Sequence, residues 1–473
     1  MTSAQLHTGY CKSAEGLFHH TAAASAKMPG NMDARSTNEK LIADELNKLS
    51  FQEREEAYED IHGVRDHVKE TPESIEYSLQ QMHHHLKLLH DKYAYDLAES
   101  LSKDYATDRR LRLKFLRATM FDPKEAASRM AGYFRHKLDL FGWEKLVKNI
   151  TFEDLGEDSM KAVSQGMMHQ VLPSRDTQGR AIVCGWQRLF LAQVDRFKDP
   201  VKTLTKAFWY VLTSVADDEE TQKKGFVFVS YAVDSNQPSD TIRRETLRSC
   251  ATVHQILPAR TTAVHFCSDS QTAAALWRII IVSSVTYNRV RLRTHCGSHN
   301  EIKYRLMSFG IPINDFPFLE RGDVKKTNHL KWIERRKRKE EYLKTHTLPK
   351  NAVDIPSRVD VILGRGTPFN SHPGNKRLHE IVADHYDEYD RETRVGKTKI
   401  AERIVATVHA YGGKFMKLED ECGMWIEVTS LDSRNKVAHS FRRKREFSVK
   451  GSKAVQGATG EDCGRDNKRL REC

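Results

Sequence analysis

The eight cysteines of this 473-residue chain include no C-x-x-C pair, standing apart at Cys11, Cys184, Cys250, Cys267, Cys296, Cys422, Cys463 and Cys473. That scatter reads as free thiols in a reducing compartment rather than disulfides or zinc ligands. No apolar run reaches the roughly 18–20 residues that span a bilayer. The richest, AAALWRIIIV at Ala273–Val282, is short and interrupted by Arg278. The opening MTSAQLHTGYCKSAEG has no apolar centre, so no secretory signal is expected. Catalytic motifs are missing too. There is no G-x-S-x-G, and GKT at Gly396–Thr398 is no phosphate loop because its earlier glycine would fall at Arg391. HEIVADH places Ala383 where a zinc-protease motif needs its second histidine. The triplet His83–His85 cannot gather on one ion, since consecutive helical residues point in different directions. No enzyme, cofactor or metal site is expected.

Charge is present in quantity and unevenly placed. The net formal charge is +12, with −7 over residues 1–100, +10 over 101–330, +5 over 331–350 and +4 thereafter. A basic centre suits contact with an anionic membrane, and equally suits nucleic acid. Residues 1–35 lack periodicity and read as disordered. Helical patterning follows over 36–100, where Ser50 and Glu53 have capping-box spacing and Pro72–Leu101 is amphipathic.

From Met167 short apolar runs alternate with helical stretches. HQVLP and AIVCGW flank SRDTQGR; a helix is expected at Pro200–Val215 and a strand at Phe226–Val233. A helix at Asp240–Leu257, strands at Thr261–Cys267 and Val290–Thr294, an apolar helix at Thr272–Val282 and a helix at Asn300–Phe309 complete the series. Such alternation implies a largely parallel sheet covered by helices.

The stretch from Leu111 to Phe318, with FLRATMFDPKEAASRM, DTQGRAIV, LPARTTAVHFCSDS and GIPINDFPF, resembles a CRAL-TRIO (Sec14-type) lipid-binding domain. The resemblance implies an α/β fold with a mixed, mostly parallel sheet, covering helices and an N-terminal helical region, placed here at 101–325. It also implies a mobile gate helix over an apolar cavity, at Thr272–Val285. Ala274, Leu276, Trp277, Ile279, Ile280 and Ile281 would supply its inner face, with Phe208 as a further cavity residue. The bland alternative is that this helix is ordinary core. The chain departs from the family where a Glu and a Lys grip an inositol headgroup: alignment puts Arg248 and Arg289 there. Arg293 and His295 lie near Arg289, so an anionic headgroup held by these four is the corresponding expectation.

A basic helix at 326–350 is read as a linker, and 351–447 as a second unit. Its D-V-x-x-G-R-G, H-P-G-N and G-x-W pattern resembles an uncharacterised domain recurrent in diatom proteins. Two helix stripes, Leu378–Tyr389 and Ile400–Val408, then KFMKL and MWIEV as a hairpin, then Leu431–Arg445, give a small α+β module ordered helix–helix–hairpin–helix. Gly364, Arg365, Gly366, His372 and Asn375 form either an anion-binding loop or a tight turn into the first helix. RRKRK at Arg335–Lys339 and RRKR at Arg442–Arg445 are solvated faces, nuclear-import runs or phosphate contacts. Residues 448–473 read as a flexible tail.

The expectation is therefore a non-enzymatic, two-domain binder of a lipid or other hydrophobic molecule. It would touch anionic membranes peripherally and carry a partner-binding module at 331–447, in the cytoplasm or also the nucleus. The rival is a nuclear nucleic-acid-binding regulator on a degenerate Sec14-like scaffold.

Overall fold

The structure is a computed structural model that describes residues 34–166, 169–186, 196–232, 241–268, 290–319 and 323–458. Its N-terminal region is helical: α1 Ala34–Lys48, α2 Phe51–His62, α3 Pro72–Leu88, α4 Tyr93–Leu101, α5 Lys103–Ala106, α6 Arg109–Ala118, α7 Pro123–Phe141 and α8 Glu157–Ser164. The expected capping box forms at the start of α2: the Glu53 amide donates to the Ser50 hydroxyl and Glu53 accepts from the Ser50 amide. The single amphipathic stretch expected over Pro72–Leu101 is two helices, broken around Leu89–Lys92.

A five-stranded sheet follows, in spatial order β1 His169–Val171, β2 Ala181–Trp186, β3 Phe226–Ala232, β4 Thr261–Ser268 and β5 Leu292–Cys296. β1 is antiparallel to β2, and the other pairs are parallel. β5 begins two residues later than its apolar alternation suggests. Between the strands lie α9 Pro200–Val215, α10 Glu219–Lys224 and α11 Thr241–Ile256. α9 and α11 pack on one sheet face, where Ala181, Val183, Phe226 and Phe228 join Leu204, Phe208, Trp209 and Val253. The same core runs on into the N-terminal helices through Phe115, Met130 and Phe134. The opposite face carries Ile182, Cys184, Val227, Val229 and Tyr231. It is covered by Ile61 of α2, Ile302 and Leu306 of α12 (His299–Ser308), and the Ile311–Phe318 segment. A sheet buried on both faces explains why its strands read as nearly continuous apolar runs.

What ties α2 to the sheet is electrostatic. The buried Asp60 carboxylate accepts from Arg291 at 2.6 and 2.8 Å, from Arg65 at 3.1 Å and from Arg260. Arg180 donates to the Asp60 and Ile61 carbonyls at 2.5 and 3.1 Å and pairs with Asp176 at 2.6 Å. The chain leaves α2 through Gly63 at φ +70°, where a Cβ would stand 2.8 Å from the Arg180 guanidinium. Only glycine permits that close, left-handed exit.

Helix α13, Thr327–Tyr342, departs from the expected solvated linker. Trp332 and Ile333 enter the main core, Arg336 pairs with Asp217 and Glu340, and Lys339 pairs with Asp354. Arg338 reaches Asp420 of the C-terminal unit. The RRKRK run is mostly consumed in joining two domains, which corrects its reading as a free basic patch.

The C-terminal unit has β6 Val361–Leu363, α14 Thr367–Ser371, α15 Pro373–Asp384, α16 Tyr386–Arg391, α17 Arg394–Ala410, β7 Phe415–Glu419, β8 Met424–Glu427 and α18 Ser430–Ala458. The expected hairpin is β7–β8, and β6 adds a third strand parallel to β7. Leu378, Val382, Ile400, Ile404, Val408, Phe415, Val437 and Phe441 make its separate core. α18 runs past the expected start of the tail. No described helix is long and apolar enough to cross a membrane.

Candidate functional site

Side chains of β2–β4 alternate faces, so the α9–α11 side carries, in order toward the strands' carboxyl ends, Val183 and Gly185, Phe228 and Ser230, and Val264, Phe266 and Ser268. The amino-terminal half of this face is filled. Phe208 lies 4.6 Å from the His169 ring, 5.0 Å from His254 and 6.1 Å from Phe228. Burial, then the nearby His254 and His329, bring His169 down to about 3; burial and Arg129 bring His254 to about 4. Both imidazoles therefore serve as neutral aromatic packing near neutral pH. Phe208 is core here, not the lining of an open space.

Leu292, at the start of β5, is level with Val264 and Phe228 and 2% exposed; one step further toward the carboxyl ends Phe266 is 3% exposed. Ser230 sits in register between Phe266 and Gly185, a small residue flanked along its own strand by Val229 and Tyr231. Ligands of open α/β sheets gather outside the carboxyl ends of the strands. Of the other cavity candidates, Leu276, Trp277, Ile280 and Ile281 lie outside the described residues, as does Arg289.

The expected headgroup set does not assemble. Arg248 is on the exposed side of α11, whereas His295 is buried on the other sheet face, its Nε2 2.9 Å from His265 Nδ1 and its ring against Phe309. Arg293 is on that face too, donating to the Val290 and Leu292 carbonyls. The sheet lies between them, so these residues cannot grip one headgroup. The alignment fixed their positions along α11 and β5 but not which way each pointed.

Two recesses formed by described residues lie elsewhere. One, about 270 Å³, is bounded by His67, Arg117, Phe121 and Lys223; the other, about 480 Å³, by Phe152, Met160, Lys337 and Lys344. Both have charged rims, unlike an acyl-chain cavity.

In the C-terminal unit the loop candidates are structural. The Asn375 side chain, 1% exposed, accepts from the Ile362 amide at 2.8 Å and donates to the Ile362 carbonyl at 2.9 Å, standing in for a neighbouring strand. A Cβ on Gly374 would lie 2.0 Å from the Asp360 carbonyl, and one on Gly364 would meet the Phe369 ring. Gly366 adopts φ +99°. Burial, then Arg358, bring His372 to about 4. Arg365 is the one cation of this set that is exposed. Asn375→Ala strands two buried backbone groups and is expected to cost roughly 2–3 kcal/mol, read as a lowered urea midpoint with an unchanged slope.

Comparison with known proteins accords with both halves. Residues 360–443 match the family model described as "Domain of unknown function (DUF6824)". Over 201 residues, 41% of this chain, it is 28% identical to clavesin-1 of Xenopus laevis, covering 57% of that protein. Over the same length it is 27% identical to clavesin-1 of Rattus norvegicus and of Mus musculus, covering 53% of each. The chain thus spans little more than half the length of these curated relatives. Among solved structures, the crystal structure of Sfh5 aligns with a TM-score of 0.36 and 10% identity, over 55% of this chain and 92% of that one. The similarity to clavesin-1 accords with the CRAL-TRIO resemblance that the motifs of the central domain carry. The C-terminal unit is a DUF6824 domain, and nothing in that description assigns it an activity.

Proposed function

We propose that the central domain binds a hydrophobic small molecule or phospholipid without chemically altering it, and releases it at membranes. What supports this reading is the run of CRAL-TRIO-like motifs through the central domain, the similarity of that stretch to clavesin-1, and an apolar Phe266 buried beside the small Ser230 toward the carboxyl end of the sheet. In this reading Leu276, Trp277, Ile280 and Ile281, the gate residues expected from the family resemblance, would contact the bound molecule. Each buried CH₂ gains about 0.8 kcal/mol, so a long acyl chain compensates for leaving the bilayer. The +10 charge of residues 101–330 supports docking on an anionic cytoplasmic surface.

The test is organic extraction of the purified full-length protein followed by mass spectrometry, with lipid offered from mixed vesicles. A stoichiometric hydrophobic molecule is expected. Recovery of none, before and after incubation with vesicles, would rule the carrier out.

A further inference from the structure

Because β2, β3 and β4 are parallel, the connecting α9 and α11 return the chain from the carboxyl to the amino end of the sheet. Both helices therefore begin at the carboxyl ends of the strands. Thr205 of α9 hydrogen-bonds Ser249 of α11 at 3.0 Å, which sets Lys198 and Ile242, seven residues earlier in each case, close to one level. α7 runs the opposite way. Arg129 near its start donates to the Leu257 carbonyl at the amino end, and Phe141 at its finish has the Lys206 ammonium 5.2 Å from its ring. Trp143, two residues on, is thus brought to the carboxyl end as well. Trp143 is 60% exposed and Ile242 45%. Arg196, Lys198 and Lys202 are exposed and Lys206 half-buried. Residues 196–206 hold these four cations against one acid, Asp199, whose carboxylate caps α9 by accepting from the Lys202 amide at 3.0 Å. Among the described residues none of the four cations forms an ion pair. Glu144 beside Trp143 and Glu245 one turn after Ile242 dilute the charge but leave the face basic.

We propose that this face, formed by Trp143 and the first turns of α9 and α11, docks the protein on an anionic lipid bilayer. The inference rests on the carrier reading and names the surface that would meet the membrane. An indole has an apolar body and a polar N–H, which suits the boundary between acyl chains and headgroups. Lysine stems lie along apolar surface while their ammonium groups stay among lipid phosphates. Ile242 adds apolar area that a bilayer takes up and a nucleic-acid backbone does not. Phe51 and Tyr58 of α2 are exposed too, but they stand among Glu53, Glu55 and Glu59, which an anionic surface repels. The chosen face is also the end of the sheet beside Ser230 and Phe266, so docking there presents the ligand end to the membrane.

The experiment is co-sedimentation of the full-length protein with vesicles of phosphatidylcholine containing about one-third phosphatidylserine. Wild type is compared with Trp143→Ala and with the double variant Lys198→Gln, Lys202→Gln. The double variant Lys376→Gln, Lys399→Gln makes an equal charge change at exposed positions of the C-terminal unit. Losing Lys198 and Lys202 should weaken binding roughly twenty-five-fold, about fivefold per charge. Trp143→Ala should weaken it about tenfold, and the C-terminal double variant should bind as wild type does. Thermal midpoints and the lipid recovered by organic extraction should be unchanged throughout, because all these side chains lie on the outside. The proposal is overturned if wild type does not sediment with the vesicles, or if the Trp143 and Lys198/Lys202 variants sediment as it does. It is equally overturned if those variants lose affinity only for a labelled DNA duplex. A wild type that sediments but yields no lipid upholds the docking face while the carrier reading falls.

Discussion

Asp60→Ala is expected to lower the stability of the central domain more than any other single exchange of a charged residue discussed here. Its carboxylate is buried and shared by Arg65, Arg260 and Arg291, the last two themselves buried. Removing one partner from a buried ion pair costs about 3–5 kcal/mol, mostly because the remaining charge is left desolvated and uncompensated. Here two such charges remain, with Arg180 also donating to the backbone at this point. Against a typical total of about 5–15 kcal/mol, that is a large share. Urea unfolding followed by circular dichroism is the measurement. Asp60→Asn, which keeps an acceptor, should fall between Ala and wild type. Asp91→Ala, which breaks a solvent-exposed pair with Arg135, should shift stability by no more than about 1 kcal/mol. A shift for Asp60→Ala as small as that of Asp91→Ala would show that the arginine cluster stands without its acid.

Nothing local announces this residue. In EAYEDIH, Asp60 looks like one more acid on a polar helix, and its partners Arg180, Arg260 and Arg291 are 120, 200 and 231 positions away. The same limit applies to RRKRK, whose pairing with Asp217, Asp354 and Asp420 depends on how two domains meet. Elements with a strong period and clear ends were legible: α9 begins and ends where Pro200 and the apolar stripe through Val215 predict. Short or single-strand features were not. β6 has three residues, too few for a pattern, and Gly364 and Gly366 just after it read as a loop. For the candidate site, motif matching located β4 and β5 but could not tell face from face. That is why Arg248 and His295 looked like neighbours and are not.

Ser230→Phe separates an open carboxyl-end space from a solid interior, and its predicted effect on ligand binding is complete loss. The residue faces the α9–α11 side, across from Phe266 in register. Adding a phenyl ring to a close-packed core forces neighbours off their rotamers and costs about 1–3 kcal/mol, occasionally more. A hollow that takes up an acyl chain would admit the ring without that strain, and the ring would then occupy the ligand's place. The expected outcome is a protein with a thermal midpoint near or above that of ligand-free wild type and no extractable lipid. Val229→Phe is the reference: its side chain lies in the packed opposite face, fully buried, so the same added ring should destabilise there. Should Ser230→Phe unfold as readily as Val229→Phe, the space beside Ser230 and Phe266 is filled and the carrier reading fails with it. Should it fold and keep its lipid, the cavity lies elsewhere in the domain. The two faces of one strand thus provide the probe and its control, one residue apart.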